Sequence, residues 1–284
     1  MITIVSLELT MEPKYEEQFT AFIDFLGFKE VATETDESTR LKILDLLLSL
    51  STLRGEFDVQ STGPENFKIR QIRPAISTFS DHIVISYPTK PISADTGFDE
   101  RNTAYFIRMH FYQLLTSIAA AALRIGFLVR GGATIDKLYH TKGVVFGKAL
   151  VDAYEIESQT SIYPRVVLSH QITNRQIWIE NQTDIIQSGD GLYHFNYFKS
   201  LALSSAERGE SYASNVKAWF EDVIGIVDKK LQELENKGKL KEFAKWAWFA
   251  REFLSGLEQQ DQHILKSLGV FPEAIPWRDR MVSY

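Results

Sequence analysis

The sequence predicts an α/β or α+β sheet domain carrying a helical extension, and three observations predict it. Apolar runs of β-type composition alternate with amphipathic runs of helical period between Phe19 and Ser169. Two long helical patterns, broken at Gly238, fill the stretch from Tyr212 to Leu257. The composition, 44% hydrophobic and 24% charged over 284 residues, is that of a chain able to bury a core and not that of a disordered one.

The elements follow in order. The run FTAFIDFLGF, Phe19 to Phe28, reads as a buried strand ending in a turn at Gly27. Asp36 is placed to cap a helix over STRLKILDLLLSLSTL, whose leucines recur on one face. Gly63-Pro64 marks a turn, and two β-type runs follow, Phe67 to Arg73 and His82 to Tyr87, with Ser80-Asp81 in a tight link before the second. PTKPISADTG reads as a loop, and Asn102 to Leu123 as a long Ala- and Leu-rich helix stopped by Gly126. Next come a strand, FLVRGGATI, a turn, LYHTKG, the short VVFG, a helix, KALVDAYEIES, and a strand, RVVLS, opened by Pro164.

Composition removes several function classes. With no cysteine there are no disulfides, thiolate zinc sites, iron–sulfur clusters or thiol nucleophiles. A net charge of −6 argues against a protein that tracks nucleic-acid phosphates. MITIVSLELTMEPKYEE lacks the basic-then-apolar pattern of a targeting signal, and IAAAALRIGFLV is short and interrupted by Arg124, so the expectation is a cytoplasmic chain without stable membrane insertion. The histidines, His82, His110, His140, His170, His194 and His263, have no HxH or HxxxH spacing and do not suggest zinc. Ser169-His170 lacks a G-x-S-x-G elbow, and GKAL lacks the upstream glycine and following Ser/Thr of a P-loop.

A few residues stand out against that background. Asp24 lies inside FIDFLGF, where an ionised carboxylate needs a compensating partner, either a hard divalent cation or a set of backbone N–H groups. Asp81, in ISTFSDHIVIS, is an ordinary turn residue taken alone. Beside Asp24 it would complete a pair able to hold two Mg²⁺ or Mn²⁺ ions for phosphoryl transfer. Gly27 is either a simple turn or a place where backbone N–H groups approach a phosphate. Arg130, inside an apolar strand, either pairs with an aspartate or reaches a triphosphate. The lysines Lys229, Lys230, Lys237, Lys239, Lys241 and Lys245 interleave with acidic residues and read as a solvated helix face. Trp246, Trp248, Phe249 and Phe253 read as a helix–helix or dimer contact.

In their order, FIDFLGF, FSDHIVIS, LVRGGATI and VVFGKALVDAYEIES resemble the catalytic domain of class III nucleotidyl cyclases, over Phe19 to roughly Ser169. The resemblance implies an α+β fold with a ferredoxin-like βαβ palm and covering helices, with residues 1–205 as the catalytic domain. Residues 206–284 would then be a C-terminal helical extension that supports a dimer. It implies Asp24, Asp81 and the carbonyl of Phe25 as ligands of two Mn²⁺ or Mg²⁺ ions, Gly27 and Phe28 on the triphosphate loop, and Arg130 on phosphate. Two departures stand out. The Asn and Arg usual on the helix after the VxG-type turn are Val151 and Glu155 here, so the role of that arginine is absent or falls to another position, Lys148 or Arg165, and the glycine usual after the GI-type strand is Asp136. RGGATI, FGKALVDAYEIES with PRVVLS, and KEFAKWAWFAREF are similar to the Pycsar antiphage cyclases. That branch implies a homodimer with shared active sites that makes cyclic UMP, or cyclic CMP, as a defence messenger. The other expectations are a purine cyclase, or a catalytically silent cyclase-like module for dimerisation or sensing.

Overall fold

The computed structural model describes residues 15–28, 37–52, 74–90, 99–141, 144–180, 183–201 and 212–282. The cap at Asp36, the turn at Gly63-Pro64, the run Phe67 to Arg73 and most of the loop PTKPISADTG lie outside them. The fold is α+β. Its sheet runs β1 (Glu16–Leu26), β2 (Ala75–Phe79), β3 (His82–Pro88), β4 (Leu128–Thr141), β5 (Val144–Phe146), β6 (Val166–Leu168), β7 (Ile185–Gln187) and β8 (Tyr193–Phe195) in the chain. In space the order is β2-β3-β1-β4-β6-β8-β7, with β5 paired to β4 at the side. The pairs are antiparallel except β4 with β6.

The first helix, α1 (Glu37–Thr52), stands between β1 and β2 in the chain, and α2 (Glu100–Arg124) between β3 and β4. Helix α1 buries Ile43 and Leu46, while Leu41, Leu44 and Leu48 lie on its exposed side, so the leucine stripe is not the buried face. Helix α2 starts two residues earlier than its apolar pattern, because the Asp99 side chain accepts from Asn102 N–H at 2.8 Å and caps it. It ends where Gly126 takes a φ of +85°.

β1 is buried on both faces through its middle, which is why it reads as a continuous apolar run and not as an alternation. Phe19, Ala21, Ile23 and Phe25 enter the main core with α2 and the C-terminal helices. Phe22 and Val84 face the other way, onto Ala153 of α3 (Lys148–Glu155). That second layer lies very close to the sheet. A Cβ on Gly132 would collide with the Ala153 carbonyl and stand 2.6 Å from Ile156 Cβ and 2.9 Å from Glu157 N. Most of those atoms are backbone and cannot swing aside, so Gly132→Ala is expected to lower unfolding stability by about 3 kcal/mol, the upper range for overpacking. Urea unfolding checks it, and a loss below about 0.5 kcal/mol would contradict the close approach.

Several boundaries differ from the sequence pattern. The partner of β3 is Ala75–Phe79, adjacent to the two-residue Ser80-Asp81 link, because pairing Phe79 with His82 requires it there. Ser80 takes a φ of +56° in that link. LYHT, read as a turn, is strand: β4 continues along β1 as far as Leu138 and then pairs with β5. After Glu155, the helix changes to one π turn over Ile156–Thr160.

The extension forms two helices, α4 (Tyr212–Asn236) and α5 (Leu240–Glu258), joined where Gly238 has a φ of +65°. Their apolar faces belong to the same core as the sheet. Trp219 donates to the Leu201 carbonyl at 2.7 Å, and Arg124 lies 4.7 Å above the Trp219 ring. Phe253 stacks on Phe220 at 6.3 Å in this helix contact, whereas Trp248 packs against Tyr163, His194 and Phe198 on the sheet side. Among the described residues, no helix is long and apolar enough to cross a membrane.

Candidate metal centre and cleft

Strand register builds the centre. Asp24 lies opposite His82 on β3 and opposite Arg130 on β4, near the end of β1. Asp81 occupies the link immediately before His82, and its carbonyl accepts from Phe25 N–H at 3.2 Å, fixing the link to the end of β1. The His82 ring bridges the two carboxylates, with Nδ1 at 3.2 Å from Asp81 Oδ1 and Nε2 at 3.7 Å from Asp24 Oδ1. One ligand atom each from Asp24, Asp81 and His82 lies within 4.8 Å of the others.

The second carboxylate oxygen of Asp24 is already committed. Arg130 Nε donates to Asp24 Oδ2 at 2.9 Å, and Nη2 sits 2.6 Å from Glu157 Oε1. Nη1 points toward the Ser161 carbonyl at 3.4 Å. The ion pair between Arg130 and an aspartate that the sequence allows is present. Glu157 enters because the π turn follows the close helix–sheet contact at Gly132, and it is only 2% exposed. Burial raises its pKa above the ordinary carboxylate value, opposed by Arg130 and reinforced by Asp24. Three carboxylates against one guanidinium give a formal charge of −2, three negative less one positive.

These groups line a cleft of about 540 Å³ at the end of β1. Asp24, Phe25, Gly27, Phe28, Asp81 and Arg130 all line it, so the structure brings together every residue singled out for metal or nucleotide. Phe25 buries its ring, 2% exposed, in the main core. Gly27 turns the chain with a φ of +94°, and Phe28 packs 6.1 Å from Phe127.

Several lining residues escaped the sequence reading. His82 has no second histidine at metal-ligand spacing, and its partners here are carboxylates. Lys230, Lys239 and Lys245 also line the cleft and are not a solvated face alone. By contrast, neither candidate for the absent arginine lines it. Lys148 pairs with Asp136 at 2.9 Å and with Asp152, and Arg165 pairs with Asp190 and donates to Ser188 Oγ at 2.9 Å. Val151 and Glu155 lie on the exposed side of α3.

The donor set fits a hard divalent cation. Oxygens across such an ion stand roughly 4–5 Å apart; carboxylate oxygens suit Mn²⁺ or Mg²⁺, whereas an imidazole is more often the ligand of a softer metal such as zinc. Asp24 and Asp81 would be its anionic ligands, with His82 beside them; a second ion would draw further oxygens from a bound phosphate chain. No family model matches the chain and no curated protein is similar to it, so the chemistry of this centre rests on its geometry.

Proposed function

We propose that the chain is a metal-dependent nucleotidyl cyclase that converts a pyrimidine nucleoside triphosphate, UTP before CTP, to the 3′,5′-cyclic nucleotide and pyrophosphate. The observation that carries this reading is the convergence of Asp24 and Asp81 at the mouth of one cleft, with ligand atoms within 4.8 Å. The order β2-β3-β1-β4, with α1 and α2 as the crossing helices, supports the class III palm because it is the ferredoxin-like split βαβ arrangement. The pyrimidine preference and the antiphage role rest on the resemblance to the Pycsar branch.

When bound, Mn²⁺ or Mg²⁺ lowers the pKa of the ribose 3′-hydroxyl and withdraws charge from the phosphates. The chain's own residues do the positioning. Arg130 holds Asp24 by one carboxylate oxygen and leaves Oδ1 facing Asp81 and His82. The turn at Gly27 exposes backbone beside the cleft for the phosphate chain. The O3′–Pα bond forms as the bond from Pα to the bridging oxygen breaks, and that oxygen keeps the electron pair on pyrophosphate. The hydroxyl proton passes to a carboxylate oxygen of the centre and on to water.

A homodimer fits the apolar residues left exposed around α3 and β5: Phe146, Val144 and Val151 are 70%, 55% and 53% exposed. The silent-module reading is favoured by one observation, that Val151 and Glu155 occupy the Asn and Arg places. Incubation with ATP, GTP, CTP and UTP in Mn²⁺, with products resolved by mass, separates the readings. A cyclic product from UTP or CTP alone is expected. A purine product would redirect the substrate assignment, and no product from an intact dimer would leave the silent module.

A further inference from the structure

The helical extension contributes cations to the cleft that holds the carboxylate centre. Lys230 on α4, Lys239 at the bend and Lys245 on α5 line it together with Trp246. Lys230 is shared with Glu233 at 3.5 Å, whereas Lys245 has no ion-pair partner among the described residues and is half-buried. Burial lowers the Lys245 pKa, the Arg130 charge lowers it further, and Glu242 and Asp24 act in the opposite direction. Its ammonium therefore shares an electrostatic environment with Arg130 and Asp24. Arg130 commits three of its five N–H groups to Asp24, Glu157 and the Ser161 carbonyl, and two carboxylates already balance its charge before a ligand arrives.

We propose that Lys245 is the direct protein contact for the terminal phosphates of the substrate and for the departing pyrophosphate, so that the C-terminal helices are part of the active site. This rests on reading the cleft as a nucleoside triphosphate site. A lysine so held offers a compact positive charge where two metal-binding carboxylates would otherwise repel the phosphate chain. It does not duplicate the metal seat, because it stands on α5, a different part of the chain.

The test is calorimetric binding of inorganic pyrophosphate, in Mn²⁺, to the full chain. Lys245→Met is expected to weaken binding by about tenfold or more, the loss of a charge-assisted hydrogen bond. Lys245→Arg should stay within about threefold, since the charge is kept. Lys229→Met, on an exposed position outside the cleft, should match the wild type. A second measurement needs no variant: bound pyrophosphate should protect Lys245 of the wild type from amine acetylation, read by peptide mass. Unchanged affinity in Lys245→Met, or equal labelling with and without pyrophosphate, overturns the proposal, as does a wild type that binds no pyrophosphate. Triphosphate turnover is a separate arm. If pyrophosphate binds through Lys245 while none of the four triphosphates is cyclised, the contact stands and the cyclase reading falls.

Discussion

Replacing Asp24 or Asp81 by Asn is expected to abolish Mn²⁺ binding and to reduce cyclic nucleotide formation by about a thousandfold or more, the several kcal/mol that a metal clamp contributes to phosphoryl transfer. Asn keeps the shape of each side chain and removes one unit of the formal −2 that the three carboxylates and Arg130 create. The two positions should be equally sensitive, although Asp24 is buried inside a strand and Asp81 lies on a partly exposed link, because both supply ligand atoms to the same cluster. The fold should survive either change. Arg130 retains Glu157 at 2.6 Å when Asp24 loses its charge, and Asp81 fixes the link to β1 through its backbone carbonyl and not its side chain. Manganese titration followed by calorimetry reads binding, and product mass reads turnover. Turnover within about tenfold of wild type in either variant would remove the two-aspartate centre. Loss of Mn²⁺ binding in a protein that turns over nothing would keep the centre and leave the silent module.

The centre was legible in the sequence only where a residue violated its surroundings. A carboxylate in FIDFLGF and an arginine in FLVRGGATI are each costly in a core, and that cost is local information. Their contact is not local: the two residues are 106 positions apart and meet because β1 and β4 run antiparallel in one register. Glu157 carried no such signal. It looks like any acidic residue on an amphipathic helix until the glycine at position 132 lets the helix settle onto the sheet and the π turn rotates the carboxylate inward. The same holds for Lys245, whose role depends on where a helix pair docks. The fold divides along similar lines. Long runs such as β1 and α2 are legible from their patterns, whereas β7 and β8, three residues each, are shorter than any periodicity can register. The far end of β4 was read as a turn because Tyr-His-Thr-Lys-Gly is polar, yet its backbone groups are satisfied by β1 and β5.

Acid is expected to destabilise the protein between pH 6.5 and 4 through two buried histidines. His140 lies between two hydroxyls, Ser77 Oγ at 2.9 Å from Nε2 and Ser86 Oγ at 2.9 Å from Nδ1. Burial pushes its pKa down to about 4. His194 is fully buried against Phe198 and Trp248, and burial takes it to about 4 as well. Both start from an ordinary value near 6.5. Because the folded pKa lies below the unfolded one, the unfolded chain binds more protons between pH 6.5 and 4, and stability falls as pH falls through that window. Each histidine accounts for roughly 3 kcal/mol, a large share of the 5–15 kcal/mol typical of a folded domain. Glu157 and Glu252, whose pKa values burial raises, act against this, since their protonation relieves a penalty carried at neutral pH. Their relief begins above the ordinary carboxylate range and reduces the slope within the histidine window. Urea midpoints measured from pH 7.5 to pH 4.5 should drop steeply in the wild type. His194→Phe, which keeps an aromatic ring among Phe198 and Trp248 and cannot take up a proton, should flatten the slope by up to one proton. An identical slope in wild type and variant would mean that His194 is protonated in the folded protein and that its burial costs nothing at low pH.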